Sequence, residues 1–445
     1  MKSEACCIEF LHIRCPPAAD SDPQQTGDLD MTRSRLRAPR RRIAQFAAAM
    51  AAAVLLAASC TGGDADDGAA DGFDGTVRIG AALSETGRFA AEGKAVRQGY
   101  ETWLRWVNED QGGIRVGDDR YRAEIVYRDD HSDPDRIGDL IEQLIDEDQV
   151  DFLLGPYSST LTGPASAAAE THGVIMVEGN GASDGLFERG YRNLFYVGVV
   201  ASDYTRSSIE LLAEQGARTA VVAHEDTPFA TSVAEGAQRH LEANGVEVLA
   251  MKRYPVGVDN VDDLMTELAA LGPDIFVGGG HYDDAVLFLG SAQEQDFRAD
   301  AMLITVGPAN PQLLADVGSG ADGVLGPTPW EPVMAYEDES FGTASAYADT
   351  YENLWGEPPI YQAAGSTTAA YALHRAIEAA GSLDTDAVRE ALQDLDIDTF
   401  YGPIRFDERG VNVAKPMGTV QVQDGRIVVV APAAVAEGAL VYPAR

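Results

Sequence analysis

Cysteine is missing from most of this chain. All four cysteines, Cys6, Cys7, Cys15 and Cys60, stand at or before residue 60. Everything beyond must hold together without a disulfide or a thiolate metal site. Lysine is almost as scarce, with four copies against 29 arginines, and the 33 basic side chains face 71 acidic ones for a net charge of −38. A surface that acidic repels phosphate backbones and excludes a nucleic-acid partner. It also disfavours direct docking on anionic lipid headgroups. The apolar stretch Ile43–Leu56 is shorter than the roughly 20 residues a spanning helix requires. There is no phosphate-cradling Gly-Lys loop, no HExxH helix and no paired-cysteine site, and His281 has no second ligand at metal spacing. No cofactor and no metal is therefore expected.

What is present begins at Met31. A basic segment, Met31-Thr32-Arg33-Ser34-Arg35-Leu36-Arg37-Ala38-Pro39-Arg40-Arg41-Arg42, leads into the apolar stretch, which closes on Leu56-Ala57-Ala58-Ser59-Cys60. A charged start, a short apolar centre and small residues before a cleavage point make an export signal. A cysteine at the first position after cleavage resembles a bacterial lipoprotein signal. That resemblance implies lipid attachment at Cys60 and a mature chain held outside the cytoplasm. The other reading is an uncleaved anchor helix, against which the length argues. Residues 1–30 have no signal character and read as an upstream mis-start. Residues 60–75 are rich in Gly, Asp and Ala and read as a flexible tether.

From Thr76 onward strand and helix patterns alternate. Val77–Leu83 is an apolar strand. It is followed by a helix with Val96, Tyr100, Trp103, Leu104 and Val107 at helical spacing, stopped by Gly112-Gly113. Further strands are expected at 123–127, 151–154, 174–177 and 194–197, with helices at 134–148 and 160–171. A second set has strands at 219–223, 246–251, 274–277 and 301–305, with helices at 203–215, 228–243, 261–271 and 283–295. Continuous apolar strands between helices predict parallel sheets covered on both faces, hence two doubly wound α/β lobes. Pro327-Thr328-Pro329-Trp330-Glu331-Pro332 reads as a stiff extended segment. Helices are expected at 341–355, 361–380 and 385–395. A closing hairpin is expected across Asp424-Gly425. The late helices have no strands of their own to cover and must pack back on an earlier lobe.

In open α/β sheets, ligands sit at the carboxyl ends of strands, where loops feed helix N-termini. Leu154-Gly155-Pro156-Tyr157-Ser158-Ser159-Thr160 is such a loop. Free N–H groups at a helix start, with serine hydroxyls beside them, grip a carboxylate or another acceptor. Tyr157, Ser158 and Ser159 are candidate contacts, and either serine also suits a helix cap.

Several stretches in order carry a wider resemblance. They are Val77 to Gly87, Arg97-Gln98-Gly99, Asn108 to Gly113, Asp129-Asp130-His131-Ser132-Asp133-Pro134, Leu154 to Ser159, and Phe400-Tyr401-Gly402-Pro403-Ile404-Arg405-Phe406-Asp407. Over residues 76–435 the chain resembles the type I periplasmic solute-binding proteins of ABC importers, in the branched-chain amino acid and amide-binding group. The resemblance implies two lobes joined by three crossovers, a small solute held between them, an ABC permease as partner and no catalytic activity. Lobe 1 is expected at 76–199 plus 331–400 and lobe 2 at 200–326 plus 405–435. The crossovers fall near 198–202, 326–330 and 400–403, and a monomer is expected.

The resemblance also implies site residues. The loop Gly179-Asn180-Gly181-Ala182-Ser183-Asp184 offers Asn180, Ala182 and Ser183, although Asn180 and Ser183 depart from the pattern of the amino acid binders. Gly279-Gly280-His281-Tyr282-Asp283-Asp284 offers Tyr282 and Asp284, the latter where the family pairs a ligand ammonium; an acid there is equally an ordinary helix cap. Phe229 and Trp330 are aromatic candidates that could instead be core. Glu92 stands where an aromatic often covers the ligand. The expected solute is a small polar metabolite, an amino acid or an amide or carboxylate relative.

Two other functions compete. Gly181-Ala182-Ser183-Asp184-Gly185 matches G-x-S-x-G, but Glu178-Gly179-Asn180 separate it from the preceding strand, and Asp184-Gly185 opens a helix poorly. A serine hydrolase using Ser183 is the remote alternative. A sensor domain of the same fold, presenting its ligand to a receptor, is the nearer one.

Overall fold

β1 (Gly75–Leu83) is buried along almost its whole length from Val77, because it lies mid-sheet with helices on both faces. The computed structural model describes residues 72–444 except Asp296 and Arg298. Cys60, the signal segment and the tether up to residue 71 lie outside the described residues. No helix among the described residues is long and apolar enough to cross a membrane.

The first sheet has six strands: β1, β2 (Ile114–Val116), β3 (Asp119–Asp129), β4 (Phe152–Leu154), β5 (Met176–Glu178) and β6 (Leu194–Tyr196), in the order β2-β3-β1-β4-β5-β6. β1 runs parallel to β3, with Val77 opposite Ala123 and Leu83 opposite Asp129. β2 was not anticipated; it turns back antiparallel on β3 as an edge strand. α1 (Ala90–Arg105), α2 (Pro134–Asp146) and α3 (Ser159–His172) cover the faces. α2 starts where its sequence requires. The Asp133 carboxylate accepts from the Asp135 N–H, Pro134 sits at the first helical position, and Ile137, Ile141 and Leu144 form the buried stripe.

The chain then crosses to a seven-stranded sheet through α4 (Arg206–Glu214). β7 (Thr219–Glu225), α5 (Pro228–Ala243), β8 (Glu247–Tyr254), α6 (Asp262–Ala269), β9 (Ile275–Gly279), α7 (Tyr282–Glu294), β10 (Ala301–Ile304), α8 (Gln312–Val317) and β11 (Leu325–Thr328) follow. α8 was not anticipated. β11 takes the first two residues, Pro327 and Thr328, of the segment read as merely extended. It meets β10 only at Leu303↔Leu325, so Pro327, with no N–H to donate, lies beyond that contact.

Next the chain returns to the first sheet. β12 (Glu337–Asp338) and β13 (Gly342–Thr343) form a short ladder where a helix start was expected. α9 (Ala344–Trp355) begins only after Thr343, whose hydroxyl caps it by accepting from the Ala346 N–H. α10 (Tyr361–Ala380) lies against α1: Thr367 Oγ1 donates to the Gly99 carbonyl at 2.7 Å, and a Cβ on Gly99 would stand 2.3 Å from the Ala363 carbonyl oxygen. α9 adds Tyr351 OH to Gln98 Oε1 at 2.8 Å and Trp355 Nε1 to Thr102 Oγ1 at 3.0 Å. The expectation that these helices pack back on an earlier lobe holds. α11 (Thr385–Gln393) leads to an unanticipated hairpin, β14 (Asp396–Thr399) and β15 (Gly402–Arg405). β16 (Gly418–Gln423) and β17 (Arg426–Ala431) finally join the second sheet, in the order β17-β16-β11-β10-β9-β7-β8. Their turn has Asp424 at φ 50° and Gly425 at φ 70°, the double left-handed turn that Asp-Gly favours. The result is an α/β protein of two parallel-dominated sheets, each with antiparallel strands at one edge.

Candidate functional site

The carboxyl ends of both sheets face each other, and a small cavity lies between them. The β4–α3 loop contributes Tyr157, Ser158 and Ser159, and the end of β5 contributes Gly179 and Asn180. The second sheet sends Phe229 from the start of α5, His281 from the residue before α7, and Val306 from beyond β10. Tyr204, Tyr361 and Tyr401 complete the wall. The space left between these side chains is about that of one water. The lobes are therefore closed on each other.

Two polar atoms on this wall are buried and have no partner: Ser158 Oγ and His281 Nε2. Ser158 is 1 % exposed and His281 3 %. Ser158 precedes α3, so its hydroxyl stands beside the N–H groups of Ser159 and Thr160, which have no acceptor in a preceding turn. The other ring nitrogen of His281, Nδ1, lies 2.9 Å from Tyr157 OH on the opposite lobe. Burial, reinforced by the nearby Arg88 charge, pushes the imidazole down to about 3, so the ring is neutral near pH 7. The neutral ring carries one proton, so Nε2 is a donor when the phenol donates to Nδ1 and an acceptor when Nδ1 donates to the phenol. The polar end of the cavity is thus Ser158 Oγ, His281 Nε2 and the first N–H groups of α3, and much of the remaining wall is aromatic.

Behind His281 lies a charge cluster that also spans the lobes. Arg88, from the β1–α1 loop, reaches Glu225 at the end of β7 with Nη1–Oε1 at 2.8 Å, and Asp284 in α7 with Nη2–Oδ2 at 3.4 Å. Asp284 also accepts from Tyr254 OH at 2.7 Å and from the His281 N–H at 2.8 Å. Burial, then the adjacent Glu225 charge, raises the Asp284 carboxyl to about 6. Glu178, at the end of β5, is fully buried beneath the cavity floor. Its carboxyl accepts from Thr162 Oγ1 and from the Asn180 N–H, both at 2.7 Å, and burial raises it to about 7.

Of the residues expected from sequence, Tyr157, Ser158, Ser159, Asn180 and Phe229 come together on the cavity wall. Ser159 Oγ is engaged, accepting from the Ser183 N–H at 3.0 Å. Ser183 is not on the cavity wall but lines a separate depression with Asp184 and Thr227, its hydroxyl donating to the Pro228 carbonyl at 3.1 Å and lying 3.0 Å from Ser232 Oγ, both on the other lobe. Ala182 is fully buried, and its carbonyl accepts from the Ala201 N–H. Glu92 and Tyr282 line a neighbouring inter-lobe depression with Gln98, Asn310 and Ile360, and Tyr282 OH donates to Asp316 at 2.7 Å. Asp284 is held one layer back, by Arg88. Trp330 is buried away from the cavity, its ring N–H donating to the Phe400 carbonyl at 3.0 Å and its face edge-on to Tyr347. Arg88, Glu225, Tyr204, Val306, Tyr361 and Tyr401 were missed. For Arg88 a signal existed: Ser84 to Phe89 follows β1 at its carboxyl end, by the same rule that selected the β4–α3 loop.

Residues 76–426 match the family model described as periplasmic binding protein. The chain belongs to that family. Among curated proteins it is similar to Leu/Ile/Val-binding protein homolog 7 of Brucella suis biovar 1, 25% identical over 379 residues, which cover 81% of this chain and 92% of the relative. Among solved structures it is similar to the branched-chain amino acid transporter substrate-binding protein LivJ of Streptococcus pneumoniae in complex with isoleucine. There the TM-score is 0.70 at 20% identity, covering 83% of this chain and 100% of that one. It is also similar to an ABC transporter solute-binding protein of R. palustris in complex with benzoate, with a TM-score of 0.68 at 19% identity, covering 82% and 99%. At these identities the structural likeness is one of fold.

The buried acids give this periplasmic binding protein a distinctive pH response. Burial raises Glu92 and Glu178 to about 7 and Glu331 to about 8, and Asp284 stands at about 6. Unfolded carboxyls titrate near 4. Between about pH 4.5 and 8 the native state therefore binds more protons than the unfolded chain, so stability falls as pH rises through that window. The melting temperature is expected to be several degrees higher at pH 5.5 than at pH 8. Calorimetry showing the reverse order would contradict the assignment. Glu178→Gln is expected to flatten the slope.

Proposed function

We propose that the chain is the extracytoplasmic solute-binding component of an ABC importer, tethered by lipid at Cys60. It captures a small carboxylate solute, an amino acid or an amide or carboxylate relative, between lobes formed by residues 76–199 plus 331–400 and 200–326 plus 405–435. The observation that carries this reading is the pair of buried, unpartnered polar atoms, Ser158 Oγ and His281 Nε2, on the wall of a largely aromatic cavity between two sheets. Buried polar groups without partners are costly, and a carboxylate would satisfy both together with the first N–H groups of α3. The curated relative is named for Leu, Ile and Val binding, and the two solved neighbours hold isoleucine and benzoate. All three are consistent with a monocarboxylate of this size. Tyr157, Ser158, Ser159, Asn180 and Phe229 are the contacts proposed, with closure favoured because the solute would touch both lobes. The closed form is what a permease would recognise.

A thermal-shift panel of amino acids, amides and small carboxylates on the full chain in detergent tests this. A solute at a hundredfold excess over its Kd adds about 2.7 kcal/mol to stability, a rise of several degrees. Ser158→Ala is expected to weaken that solute by roughly 10- to 100-fold, the range for a buried hydrogen bond to a charged group. A panel without a single shift would overturn the reading. Mass spectrometry of the native chain tests the lipid: an unmodified N-terminus upstream of Cys60 would exclude it.

A further inference from the structure

We infer that Glu92 makes this a site for carboxylates that carry a basic group at the end remote from the carboxylate, an inference that rests on the solute-binding reading above. Glu92 stands in the first turn of α1 and is 8 % exposed. Among the described residues its carboxyl has no ion-pair partner, and the one donor it meets is its own backbone N–H. A carboxylate taken from water without a counter-ion is costly. Burial, helped by the Asp283 charge and opposed by Arg88, raises it to about 7. The neighbouring cations of the chain are committed to other acids. Arg88, one turn earlier, is paired with Glu225 and Asp284, and Lys94 is paired with Glu357 at 2.7 Å.

Glu92 lies between two spaces. Its charge reaches the phenols of Tyr157 and Tyr361 on the cavity wall. Its side chain lines the neighbouring depression of about 350 Å³, which Tyr282 and Asn310 border from the other lobe. The two spaces adjoin, because consecutive residues divide between them: His281 and Tyr361 face the cavity, Tyr282 and Ile360 the depression. The closed cavity holds about one water, so a solute needs neighbouring space as well. A solute gripped at Ser158 and the start of α3 that extends past Tyr361 enters the depression and meets Glu92. The surrounding tyrosines add aromatic surface that a cation favours. An α-ammonium is a separate matter: Arg88 brings one charge to two acids, and Glu225 Oε2 is buried without a partner. The group assigned to Glu92 is the one at the far end.

Matched pairs that differ at the far end test this: 6-aminohexanoate against hexanoate, 4-guanidinobutanoate against pentanoate, and lysine against norleucine, in which both members carry the α-ammonium. Calorimetric titration of the full chain is expected to give the cationic member at least tenfold tighter binding in whichever pair binds. In Glu92→Gln, which keeps the shape and removes the charge, that preference is expected to fall by at least tenfold while the neutral member binds as it does to the wild type. The neutral member thereby reports whether the variant is folded. Glu92→Asp keeps the charge and is expected to retain part of the preference. A neutral member that binds the wild type as tightly as its cationic partner overturns the inference and leaves the solute-binding reading standing. A cationic preference that survives in Glu92→Gln does the same, since Glu225 or Asp284 would then hold the charge. So does binding of a solute from the wider panel with no member of any pair. A chain that binds nothing in the pairs or in the panel overturns both.

Discussion

Gly99→Ala is expected to destabilise the first lobe by roughly 3 kcal/mol, near the upper end for overpacked sites. An alanine would normally strengthen a helix interior by about 1 kcal/mol. Here its Cβ would stand 2.3 Å from the Ala363 carbonyl oxygen and 2.9 Å from Ser366 Cβ, so α1 and α10 would have to separate. The same approach carries the Thr367 hydroxyl's bond to the Gly99 carbonyl, which separation would lengthen. The melting transition of this lobe should fall by roughly 5–10 °C at the usual ratio of stability to melting temperature for a unit of this size. Gly138→Ala provides the control. Gly138 lies inside α2 with nothing within 4 Å of a new Cβ, so that variant should gain up to about 1 kcal/mol. Calorimetry of the pair decides it: two variants moving in the same direction would refute the close-approach argument.

Arg88→Met is expected to shift the solute-free protein from closed toward open. The side chain reaches across the cleft to two carboxylates that the opposite lobe has removed from water. Without it, Glu225 and Asp284 face each other uncompensated. Breaking a fully buried pair costs 3–5 kcal/mol, and because the Arg88 side chain is 26% exposed, solvent screening reduces this to about 2 kcal/mol. That is roughly a 30-fold change in the closed-to-open ratio. Opening moves both acids into water, which is how the variant relieves the repulsion. Small-angle scattering at pH 8 should show a larger radius of gyration than wild type. The sign of the pH effect follows from Asp284, whose carboxyl is already raised to about 6 by burial and by Glu225. Below that pH protonation removes one of the two charges, so the variant should close again toward pH 5. A variant with wild-type dimensions at pH 8 would show that the ion pair does not hold the lobes. Other cross-cleft contacts, such as Tyr157 to His281 and Ser183 to Pro228 and Ser232, are neutral hydrogen bonds of about 1 kcal/mol each.

Much of the architecture was legible because local rules and burial agreed. β1 reads as a buried strand from its continuous apolar run, and α2 from its Asp133-Pro134 start and its stripe of Ile137, Ile141 and Leu144. Asp424-Gly425 names its own turn, since both residues tolerate positive φ. Less legible were the short or edge elements. β2 has three residues and gains its pairing only from β3, and β13 and the β14–β15 hairpin are likewise stabilised by partners remote from any local periodicity. The β4–α3 loop was found as a site because a strand's carboxyl end followed by a helix start is a sequence pattern. Trp330 was a candidate by residue type, yet its environment comes from Tyr347 on the next helix and from Phe400, 70 residues further on.

The sequence by itself determined the class of fold, the family, the exclusion of disulfides beyond Cys60 and the loop that holds Ser158. Each depends on composition or on spacing within one segment, which the chain carries wherever it folds. The tertiary structure alone decided that Arg88 occupies the space between Glu225 and Asp284, and that Tyr204, Tyr361 and Tyr401 meet across the cleft. It also placed Gly99 where α10 leaves no room for a side chain. These are encounters between segments remote from each other in the chain. Their energies depend on burial and distance, quantities that no single stretch of sequence contains.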